Sequence, residues 1–565
     1  MRLLLLFILS TFGLLHAQID TQNPYPQNYF TSPLEVPLIL SGTFAELRSN
    51  HFHSGLDIKT QGRVGLKVKA SAGGYVSRIK VSHYGYGKAL YITHPNGYTT
   101  VYAHLQKFSP EIEAYVKKRQ YAKETFQIEL FPKKNTLIIE KNATIAYSGN
   151  TGGSGGAHLH FEIRDNQERP INPMYFGFNI KDNIKPLIRS IYAYPLSDDA
   201  SVNGTNKKIK LKLTPLKNGE YIVKNVKAYG KIGFGINTID RLDYAANKNG
   251  VAKIETFLNG NKNFEIDFKR FAFSETKHIN KLIDYGHYKT NRERIQKLYK
   301  DNNPLSLYKN LIDQGFLFIE DSTNMQYKIR VSDFKNNESW ITVSIKGEQN
   351  KTVLPKQTVI TPYYINSNEN KTLSLGNATV NFYKNTFYKN LYLNIKNNND
   401  TLIIHKDIVP LKKKFTINFN IERYNNTDKN KLYIARLVGA KKVPYYITTK
   451  RKDAVLSAST KILGTHTLCM DLSKPSIKPY NFKNGQWLSK YRFLKIKISD
   501  KGSGVSNYRA TVNGKWILME YDYKKRMLTH DFNDACITDT KNLLKVIVTD
   551  NVGNSNTFES VFYRK

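Results

Sequence analysis

Apolar and polar residues alternate along much of the chain from about residue 180 onward. Residues 208–214 alternate lysine with isoleucine or leucine, and residues 493–499 follow the same pattern. Side chains two positions apart on a strand point to the same face, so such segments place apolar groups on a core and lysines in solvent. The pattern predicts antiparallel strands joined by asparagine-rich turns.

Residues 41–175 show a different pattern, with many glycines and shorter apolar runs. The runs at 66–70 and 89–93 predict short strands. One helix is predicted among them, because Ser109 can serve as its N-cap and Pro110 suits its first position. One face of this helix carries Ile112, Tyr115, Val116 and Arg119.

Two later segments look like copies of one design. Residues 331–337, with the sequence Val-Ser-Asp-Phe-Lys-Asn-Asn, resemble residues 548–554, with Val-Thr-Asp-Asn-Val-Gly-Asn. Each closes a strand-rich stretch with an aspartate turn, and residues 232–236 have a loose counterpart at 502–505. The repetition predicts two Ig-like β-sandwich modules.

The N-terminus predicts an exported protein. Arg2 provides a positive start, residues 3–15 form an apolar stretch, and Ala17 is a small residue before a cleavage site at Gln18. A membrane anchor is the competing interpretation, although the run is short for a bilayer span. No later stretch is long and apolar enough to span, and the lack of a cysteine after the apolar run argues against a lipoprotein. The expected location is the periplasm, the cell envelope or the extracellular space.

The amino-acid composition indicates which classes of binding partner to expect. The 565 residues include 85 Lys and Arg against 46 Asp and Glu, and the formal net charge of +39 suits anionic surroundings such as cell-wall carboxylates, a lipid surface or nucleic acid. The lysines are dispersed among asparagines, which favours a general compositional bias over a specific basic site. No nucleic-acid-binding module is recognisable, so nucleic acid is not an expected partner. Cys469 and Cys536 are the two cysteines of the sequence, and they form either one disulfide or two reduced thiols.

Two histidine clusters about a hundred residues apart carry the candidate chemistry. The first contains His51 and His53, with Asp57 four residues after His53, and the second contains His158 and His160. Because residues two apart on a strand share a face, each pair can present two imidazoles to one place. Imidazoles together with one carboxylate are donors of a catalytic zinc site that keeps one position open for water.

Other features accompany these clusters. A strand predicted at residues 99–104 ends in His104. A glycine-rich loop, residues 149–156, precedes the second cluster and lets the backbone approach a ligand closely. Glu162, two residues after His160, either orients a ligand from behind or is an exposed strand residue.

Five segments in one order resemble the lysostaphin or LytM-type zinc peptidases, which cut peptidoglycan cross-bridges. The resemblance covers roughly residues 40–175. Its segments are His-Ser-Gly-Leu-Asp at 53–57, Gly-Tyr-Gly-Lys at 85–88, His-Pro-Asn-Gly at 94–97, Tyr-Ala-His-Leu at 102–105 and His-Leu-His-Phe-Glu at 158–162. A small departure is Gly155-Gly156-Ala157, where the family usually has a bulkier residue and a proline before the histidine. The departure removes no donor.

The resemblance implies a role for each candidate residue. The implied zinc ligands are His53, Asp57 and His160, and the implied catalytic histidines, which do not bind the metal, are His104 and His158. His51 has no role in the family pattern. One catalytic histidine would take a proton from a zinc-activated water while the other would hydrogen-bond the developing oxyanion, and the sequence leaves open which does which.

The leading function is a secreted zinc endopeptidase that hydrolyses peptide bonds in peptidoglycan stem peptides or cross-bridges. Its strand-rich modules would dock it on the wall or on envelope partners. Two alternatives stay open: a LytM-like protein without catalysis that binds the wall and activates other hydrolases, and a surface adhesion or structural protein.

The expected fold class is mainly β. The resemblance implies an N-terminal LytM-type β-barrel or sheet domain, the duplicated hybrid motif, and Ig-like β-sandwich modules follow it. The predicted divisions are a signal peptide at 1–17, a lead-in at 18–40, a LytM-type zinc peptidase domain at 41–178, an Ig-like sandwich with a short helical insertion around residues 292–311 at 180–347, a β-rich domain at 355–470 and an Ig-like sandwich at 475–565.

Overall fold

The computed structural model describes residues 23–350, 352, 357 and 359–565, and it is built mainly from β-strands. The mainly β fold class with several β-sheet modules, predicted from the alternating pattern, is therefore confirmed. The predicted signal peptide lies outside the described residues. In the described part of the chain, no helix is long and apolar enough to cross a membrane.

The first region carries both histidine clusters on or beside short strands. Its strands are β1 (Leu40–Gly42), β2 (Leu47–Arg48), β3 (His51–Phe52), β4 (Leu56–Lys59), β5 (Lys67–Lys69), β6 (Gly74–Val81), β7 (Lys88–Thr93), β8 (Thr99–Ala103), β9 (Lys107–Phe108), β10 (Ile128–Leu130), β11 (Ile138–Ile139), β12 (Thr144–Tyr147), β13 (His158–Arg164) and β14 (Pro170–Ile171). The runs predicted as strands at 66–70 and 89–93 are β5 and β7.

A central antiparallel sheet brings the two clusters together. Its strand order is β1-β4-β13-β8-β7-β6-β10, and a smaller sheet has the order β5-β12-β9. Strand β13 lies between β4 and β8, and its register places His160 opposite Asp57 of β4 and opposite Ala103 of β8. Because alternate residues share a face, His158 points to the same side of the sheet as His160.

Helix α1 (Pro110–Lys123) is the helix predicted for this region. Ser109 precedes it and Pro110 is its first residue, although the Ser109 side chain makes no capping hydrogen bond. Ile112 and Val116 of the predicted inner face are buried in the core. The helix therefore packs on the sheet as its apolar spacing indicates.

The second region follows, and its longest strand, β19, pairs with β15 and, in parallel, with β26. Its strands are β15 (Leu187–Pro195), β16 (Ser201–Val202), β17 (Ile209–Leu211), β18 (Thr214–Pro215), β19 (Tyr221–Ile239), β20 (Lys253–Leu258), β21 (Asn261–Asp267), β22 (Gln296–Lys297), β23 (Tyr308–Lys309), β24 (Leu317–Ile319), β25 (Asn324–Ser332) and β26 (Glu338–Gly347). The strand predicted at 208–214 is interrupted, because β17 ends at Leu211 and β18 begins at Thr214.

The helices of this region precede the predicted insertion. Helices α2 (Ile279–Leu282) and α3 (Tyr285–Asn291) end where the insertion at residues 292–311 is predicted to begin. Arg292 has a φ of 61°, a left-handed conformation that ends a helix, and Pro304 removes a backbone donor within the segment. The helical prediction for 292–311 is therefore wrong, and the segment contains the short strands β22 and β23.

Two further regions complete the chain, each with facing sheets that share a hydrophobic core. The third contains α4 (Asn426–Lys429) and the strands β27 (Tyr363–Ile365), β28 (Lys371–Leu375), β29 (Ala378–Phe382), β30 (Leu391–Leu393), β31 (Ile395–Asn398), β32 (Thr401–Ile404), β33 (Phe415–Asn420), β34 (Leu432–Val438), β35 (Val443–Tyr446), β36 (Thr449–Lys452), β37 (Val455–Thr460) and β38 (Gly464–Met470). The fourth contains β39 (Ser476–Pro479), β40 (Gln486–Trp487), β41 (Phe493–Ser499), β42 (Val505–Val512), β43 (Lys515–Trp516), β44 (Glu520–Asp522), β45 (Met527–Asp531), β46 (Lys541–Asp550) and β47 (Ser555–Tyr563). Short 3-10 helices cover Pro173–Phe176, Thr276–His278, Asp313–Gly315 and Phe532–Asp534. The strand predicted at 493–499 is β41, while the Ig-like topology and the domain boundaries stay predictions.

The first and second regions share one hydrophobic core. Phe52, between the two histidines of the first cluster, packs against Phe268 and Phe271 with ring centroids 6.3 and 5.3 Å apart. The backbone N–H of Phe52 also donates to the Thr276 hydroxyl at 2.7 Å. The second region thus holds the strand that carries the first cluster.

The fourth region packs back onto the first. Buried Lys88 pairs with Glu520, with 2.7 Å between Nζ and Oε1. Lys524 Nζ donates to the backbone carbonyls of Asn150 at 2.5 Å and Ser154 at 3.1 Å, both in the glycine-rich loop. A β-sheet module from the end of the chain therefore lies beside the second histidine cluster.

The two cysteines do not pair with each other. Cys469 and Cys536 are both partly buried free thiols. The interpretation as two reduced thiols is therefore the correct one, and the disulfide alternative is wrong. The third and fourth regions depend for stability on their apolar cores.

Candidate metal centre

Donor atoms from His53, Asp57 and His160 converge on one point. Asp57 Oδ1 lies 3.0 Å from His53 Nε2 and 2.9 Å from His160 Nδ1, and the two nitrogens are 3.0 Å apart. All three residues are buried, with at most 5% of their surface exposed. The turn between His53 and Asp57 requires Gly55, because a Cβ there would lie 2.2 Å from the carbonyl oxygen of Phe161.

The outer ring nitrogens of both histidines already donate hydrogen bonds. His53 Nδ1 lies 2.7 Å from the carbonyl oxygen of Thr43, and His160 Nε2 lies 2.8 Å from Glu162 Oε1. These oxygens are acceptors, so in neutral rings the inner nitrogens carry lone pairs. Two lone pairs and a carboxylate oxygen then face one another, an arrangement that a cation stabilises. Two imidazole nitrogens and one carboxylate oxygen form a donor set that fits zinc.

Glu162 is the centre of a buried network behind His160. Its Oε1 accepts from the hydroxyls of Ser54, at 2.7 Å, and Tyr86, and its Oε2 accepts from Arg164 Nε at 2.7 Å. Burial opposes ionisation of Glu162, but Arg164 and His160 hold its pKa below the ordinary value. Glu162 is fully buried, so its interpretation as an exposed strand residue is wrong. It fixes the ring of His160 from behind.

Arg48 forms an ion pair with the Asp57 carboxylate. Arg48 Nη2 donates to Asp57 Oδ2 at 2.6 Å, which leaves Oδ1 facing the two histidines. Burial opposes ionisation of Asp57, but His53 and the hydrogen bonds of the neighbouring histidines hold its pKa well below the ordinary value. Burial likewise opposes protonation of His160, yet hydrogen bonds to carboxylates raise its pKa to about 9. A metal ion at this point competes with a proton on His160.

His104 and His158 line the more open side of the centre. Their ring centroids are 4.8 Å apart, and His158 Nε2 lies 3.3 Å from Asp57 Oδ1. The glycine-rich loop and its neighbours orient both rings, since His104 Nδ1 donates to the Thr151 carbonyl and His158 Nδ1 to the Gly156 carbonyl, each at 2.9 Å. Burial and the nearby histidines lower the pKa of His104 to about 3, so its ring is neutral near pH 7. The His158 side chain, at 15% exposure, is the most accessible of the five.

The structure brings all five predicted site residues together. Their roles as ligands and catalytic groups stay predictions. His51 is exposed and makes a hydrogen bond through Nδ1 to the Ser49 carbonyl at 2.9 Å, apart from the converging donors.

Sequence reasoning missed the residues that support the ligands. Arg48 lies close to the first cluster in sequence, and Tyr86 belongs to the Gly-Tyr-Gly-Lys segment, but neither had a partner that the sequence could identify. Arg164 follows Glu162 by two residues, a spacing that places both side chains on one face of β13. This alternation was the one sequence feature from which the contact between Glu162 and Arg164 could have been predicted.

Parts of the chain are similar to known proteins. Residues 51–124 match peptidase family M23, and residues 362–471 match the Zu5-like domain. The chain is 34% identical over 128 residues to the DD-carboxypeptidase/endopeptidase Mpg of Neisseria meningitidis serogroup B, covering 23% of each protein. It is 34% identical over 122 residues to an uncharacterized metalloprotease of Haemophilus influenzae, covering 22% of this chain and 20% of that protein. A crystal structure of a zinc containing peptidase from Vibrio cholerae aligns with 25% identity over 26% of this chain and 40% of that one, with a TM-score of 0.20.

The chain spans about a quarter of the length of the relatives it matches. The family match at residues 51–124 covers the first four motif segments, and strand β13, which carries the fifth, pairs with β4 inside that range. Together they show that the N-terminal part of the chain is a domain of peptidase family M23, the LytM or lysostaphin type.

Proposed function

We propose that the protein is an exported zinc-dependent endopeptidase that hydrolyses peptide bonds in peptidoglycan stem peptides or cross-bridges. The observation that carries this proposal is the convergence of His53 Nε2, Asp57 Oδ1 and His160 Nδ1, each about 3 Å from the others. These three residues would hold the metal. A zinc ion in such a site supplies a Lewis acid for a carbonyl oxygen and lowers the pKa of a water molecule to about 7.

His158 is suited to accept the proton of the attacking water. Its Nδ1–H donates to a backbone carbonyl, so Nε2 carries the lone pair in the neutral ring. His158 Nε2 lies 3.3 Å from Asp57 Oδ1, so this lone pair faces the point where the proposed ligands converge. His158 can then return the proton to the leaving amine.

His104 is suited to bind the substrate without becoming charged. Its Nδ1–H donates to the Thr151 carbonyl, which leaves Nε2 as an acceptor for a substrate N–H group. Donation to an oxyanion would require a second proton on the ring, and the lowered pKa of His104 opposes that state. We therefore assign proton transfer to His158 and substrate positioning to His104.

The substrate class rests on several lines of support. The Neisseria relative is named a DD-carboxypeptidase/endopeptidase, and the N-terminal sequence predicts export. The net charge of +39 favours contact with the anionic groups of a cell wall. The β-sheet modules would hold the peptidase domain on the wall or on envelope partners.

Digestion of purified peptidoglycan tests the proposal. The zinc-loaded protein and the variant His51→Ala should both release peptides, because His51 stands apart from the converging donors. His160→Ala should lose both zinc and activity. His158→Ala should retain zinc and lose about 10²- to 10⁴-fold in kcat, the usual contribution of a general base.

Two outcomes would decide against the proposal. Peptide release by His160→Ala or by chelated protein would exclude the zinc mechanism. Binding of the wild type to peptidoglycan without release of peptides under any condition would favour the wall-binding alternative.

A further inference from the structure

Three aspartates of the second region bring their carboxylates together, away from the histidine site. Asp182, Asp240 and Asp333, the first carboxylate cluster, each place one oxygen within 4.8 Å of the others. They are 7%, 3% and 3% exposed. Asp182 precedes β15, Asp240 follows β19 and Asp333 follows β25, so the cluster lies where these strands begin or end.

The first carboxylate cluster combines closely spaced acidic groups with a buried oxygen that has no hydrogen-bond partner in the described part of the chain. Asp240 Oδ1 has no hydrogen-bond partner among the described residues. Burial of an unpartnered oxygen among other carboxylates costs free energy, and a cation bound by the three carboxylates would offset that cost.

The same arrangement recurs in the fourth region. Asp471, Asp500 and Asp550, the second carboxylate cluster, also place one oxygen each within 4.8 Å of the others. Asp471 precedes β39, Asp500 follows β41, and Asp550 ends β46 at the hairpin to β47. These are the positions that the first carboxylate cluster occupies relative to the paired strands β15 and β19 and to the β25–β26 hairpin.

Hydrogen bonds around the two clusters correspond as well. In the first cluster, Asn337 Nδ2 donates to Asp333 Oδ2 at 2.8 Å and to the Asp182 carbonyl at 3.2 Å. In the second, Asn554 Nδ2 donates to Asp550 Oδ2 at 2.7 Å and to the Asp471 carbonyl at 2.8 Å. The segments repeated in the sequence, residues 331–337 and 548–554, therefore belong to the same three-dimensional arrangement, which occurs once in the second region and once in the fourth.

The second carboxylate cluster also contains buried oxygens without partners. Asp500 Oδ2 accepts from the N–H groups of Gly502 and Gly504 at 2.9 and 2.8 Å, whereas its buried Oδ1 has no partner among the described residues. Ser503 is 2% exposed, and its N–H donates to Asp471 Oδ2 at 2.7 Å. Its hydroxyl also lacks a partner within the described residues. A Cβ on Gly502 would lie 2.2 Å from Asp471 Cγ, so the loop closes directly on the carboxylate.

We propose that each carboxylate cluster binds one calcium ion. The donors are all oxygens, which suit hard cations, and carboxylates that bind with one or both oxygens suit the flexible coordination of Ca²⁺ better than the strict octahedron of Mg²⁺. A cavity of about 20 Å³ adjoins the first carboxylate cluster, and Asp182, Asp240, Thr43 and Asn172 line it together with mostly apolar residues. That volume holds one water-sized ligand. The first ion would lie where the first and second regions meet.

Titration of CaCl₂ into the zinc-loaded full chain, followed by calorimetry, tests this proposal. We expect two calcium sites per chain, with Kd values of about 10⁻⁴ to 10⁻³ M, as in extracellular modules. At a concentration of 100 Kd, each site should increase the ratio of folded to unfolded protein about 100-fold, so Tm should rise by about 5 °C or more. NaCl at the same ionic strength screens the net positive charge without binding the clusters, so it should raise Tm less than CaCl₂ does.

Single substitutions test whether the calcium binding measured by calorimetry takes place at the two carboxylate clusters. Asp240→Asn and Asp500→Asn should each reduce the stoichiometry from two to one, and Asp453→Asn, at an exposed aspartate outside both clusters, should keep two. His160→Ala should lose zinc and keep both calcium sites, which separates this proposal from the peptidase mechanism.

Other results would overturn the proposal. Absence of calcium binding by the wild type would show that the carboxyls share protons and need no metal. Equal binding by wild type, Asp240→Asn and Asp500→Asn, or an equal rise in Tm with NaCl, would do the same.

Discussion

Replacing Glu162 with glutamine should weaken the metal centre without removing a proposed ligand. The substitution keeps the shape of the side chain and removes its charge. Oε1 accepts from His160 Nε2 and from the hydroxyls of Ser54 and Tyr86, while Oε2 accepts from Arg164. Glutamine has one acceptor oxygen and one NH₂ group, so one of these two sides loses its acceptor in either amide orientation.

Both orientations have a substantial cost. If the NH₂ group faces Arg164, a guanidinium that is 4% exposed loses its buried partner, which lowers the free energy of unfolding by about 3–5 kcal/mol. If the NH₂ group faces His160, the ring loses the acceptor that orients it. Loss of such a partner lowers metal affinity or activity about 10- to 100-fold. We expect at least one of these two effects.

Competition with a chromogenic chelator measures the zinc affinity, and thermal unfolding measures the stability. Glu168→Gln is the matched control, because Glu168 contacts Arg164 at 3.0 Å but its side chain is 59% exposed. Exposed ion pairs contribute about 0.2–1 kcal/mol, so this control should behave like wild type. Wild-type zinc affinity together with wild-type Tm in Glu162→Gln would refute the role of the network.

Other parts of the chain give further predictions. Lys524→Ala removes donors to two carbonyls of the glycine-rich loop, so hydrogen exchange in that loop and KM for wall peptides should rise at unchanged zinc content. Lys525→Ala, at a side chain 76% exposed, should change neither quantity, and equal behaviour of the two variants would contradict the contact. In calcium-free buffer the stability of wild type should fall relative to Asp240→Asn as pH rises from about 4 to about 9, because the folded carboxyl, with its raised pKa, keeps a proton that the unfolded chain releases. Parallel pH profiles in calorimetry would exclude that linkage. Since Cys469 and Cys536 are unpaired, a reducing agent should leave Tm unchanged, and a lower Tm would indicate a disulfide.

The grouping of the candidate site residues was predictable because most of it depends on local geometry. Alternation along β13 places His158 and His160 on one face, and a short turn joins His53 to Asp57. The meeting of the two clusters requires β13 to pair with β4, which a single sequence does not specify. The order of the family-like segments supplied that information.

The contacts that support the candidate site could not be predicted from the sequence, because they join distant parts of the chain. Lys524 meets the glycine-rich loop across about 370 residues, and no local pattern records such a contact. Arg48 approaches Asp57 because the hairpin of β2 and β3 turns it inward. Contacts of this kind depend on the tertiary arrangement, which periodicity does not encode.

Secondary structure was predictable from the sequence where the spacing of apolar residues meets no opposing backbone constraint. The strand β41 follows from apolar alternation, and the helix α1 follows from its apolar spacing and from Pro110 at its first position. At residues 292–311, where a helical insertion was predicted, Pro304 and the left-handed backbone of Arg292 are incompatible with a continuous helix. The repeated aspartate segments were visible in the sequence, but the carboxylate clusters that they form require the third dimension.

Mass spectrometry of the soluble products from peptidoglycan digested with the zinc-loaded protein tests the central claim most directly. The account predicts fragments with new amino and carboxyl termini at a peptide bond and with intact glycan, and it predicts that His160→Ala yields none of them. Cleavage within the glycan, or the same products from the wild type and His160→Ala, would contradict it.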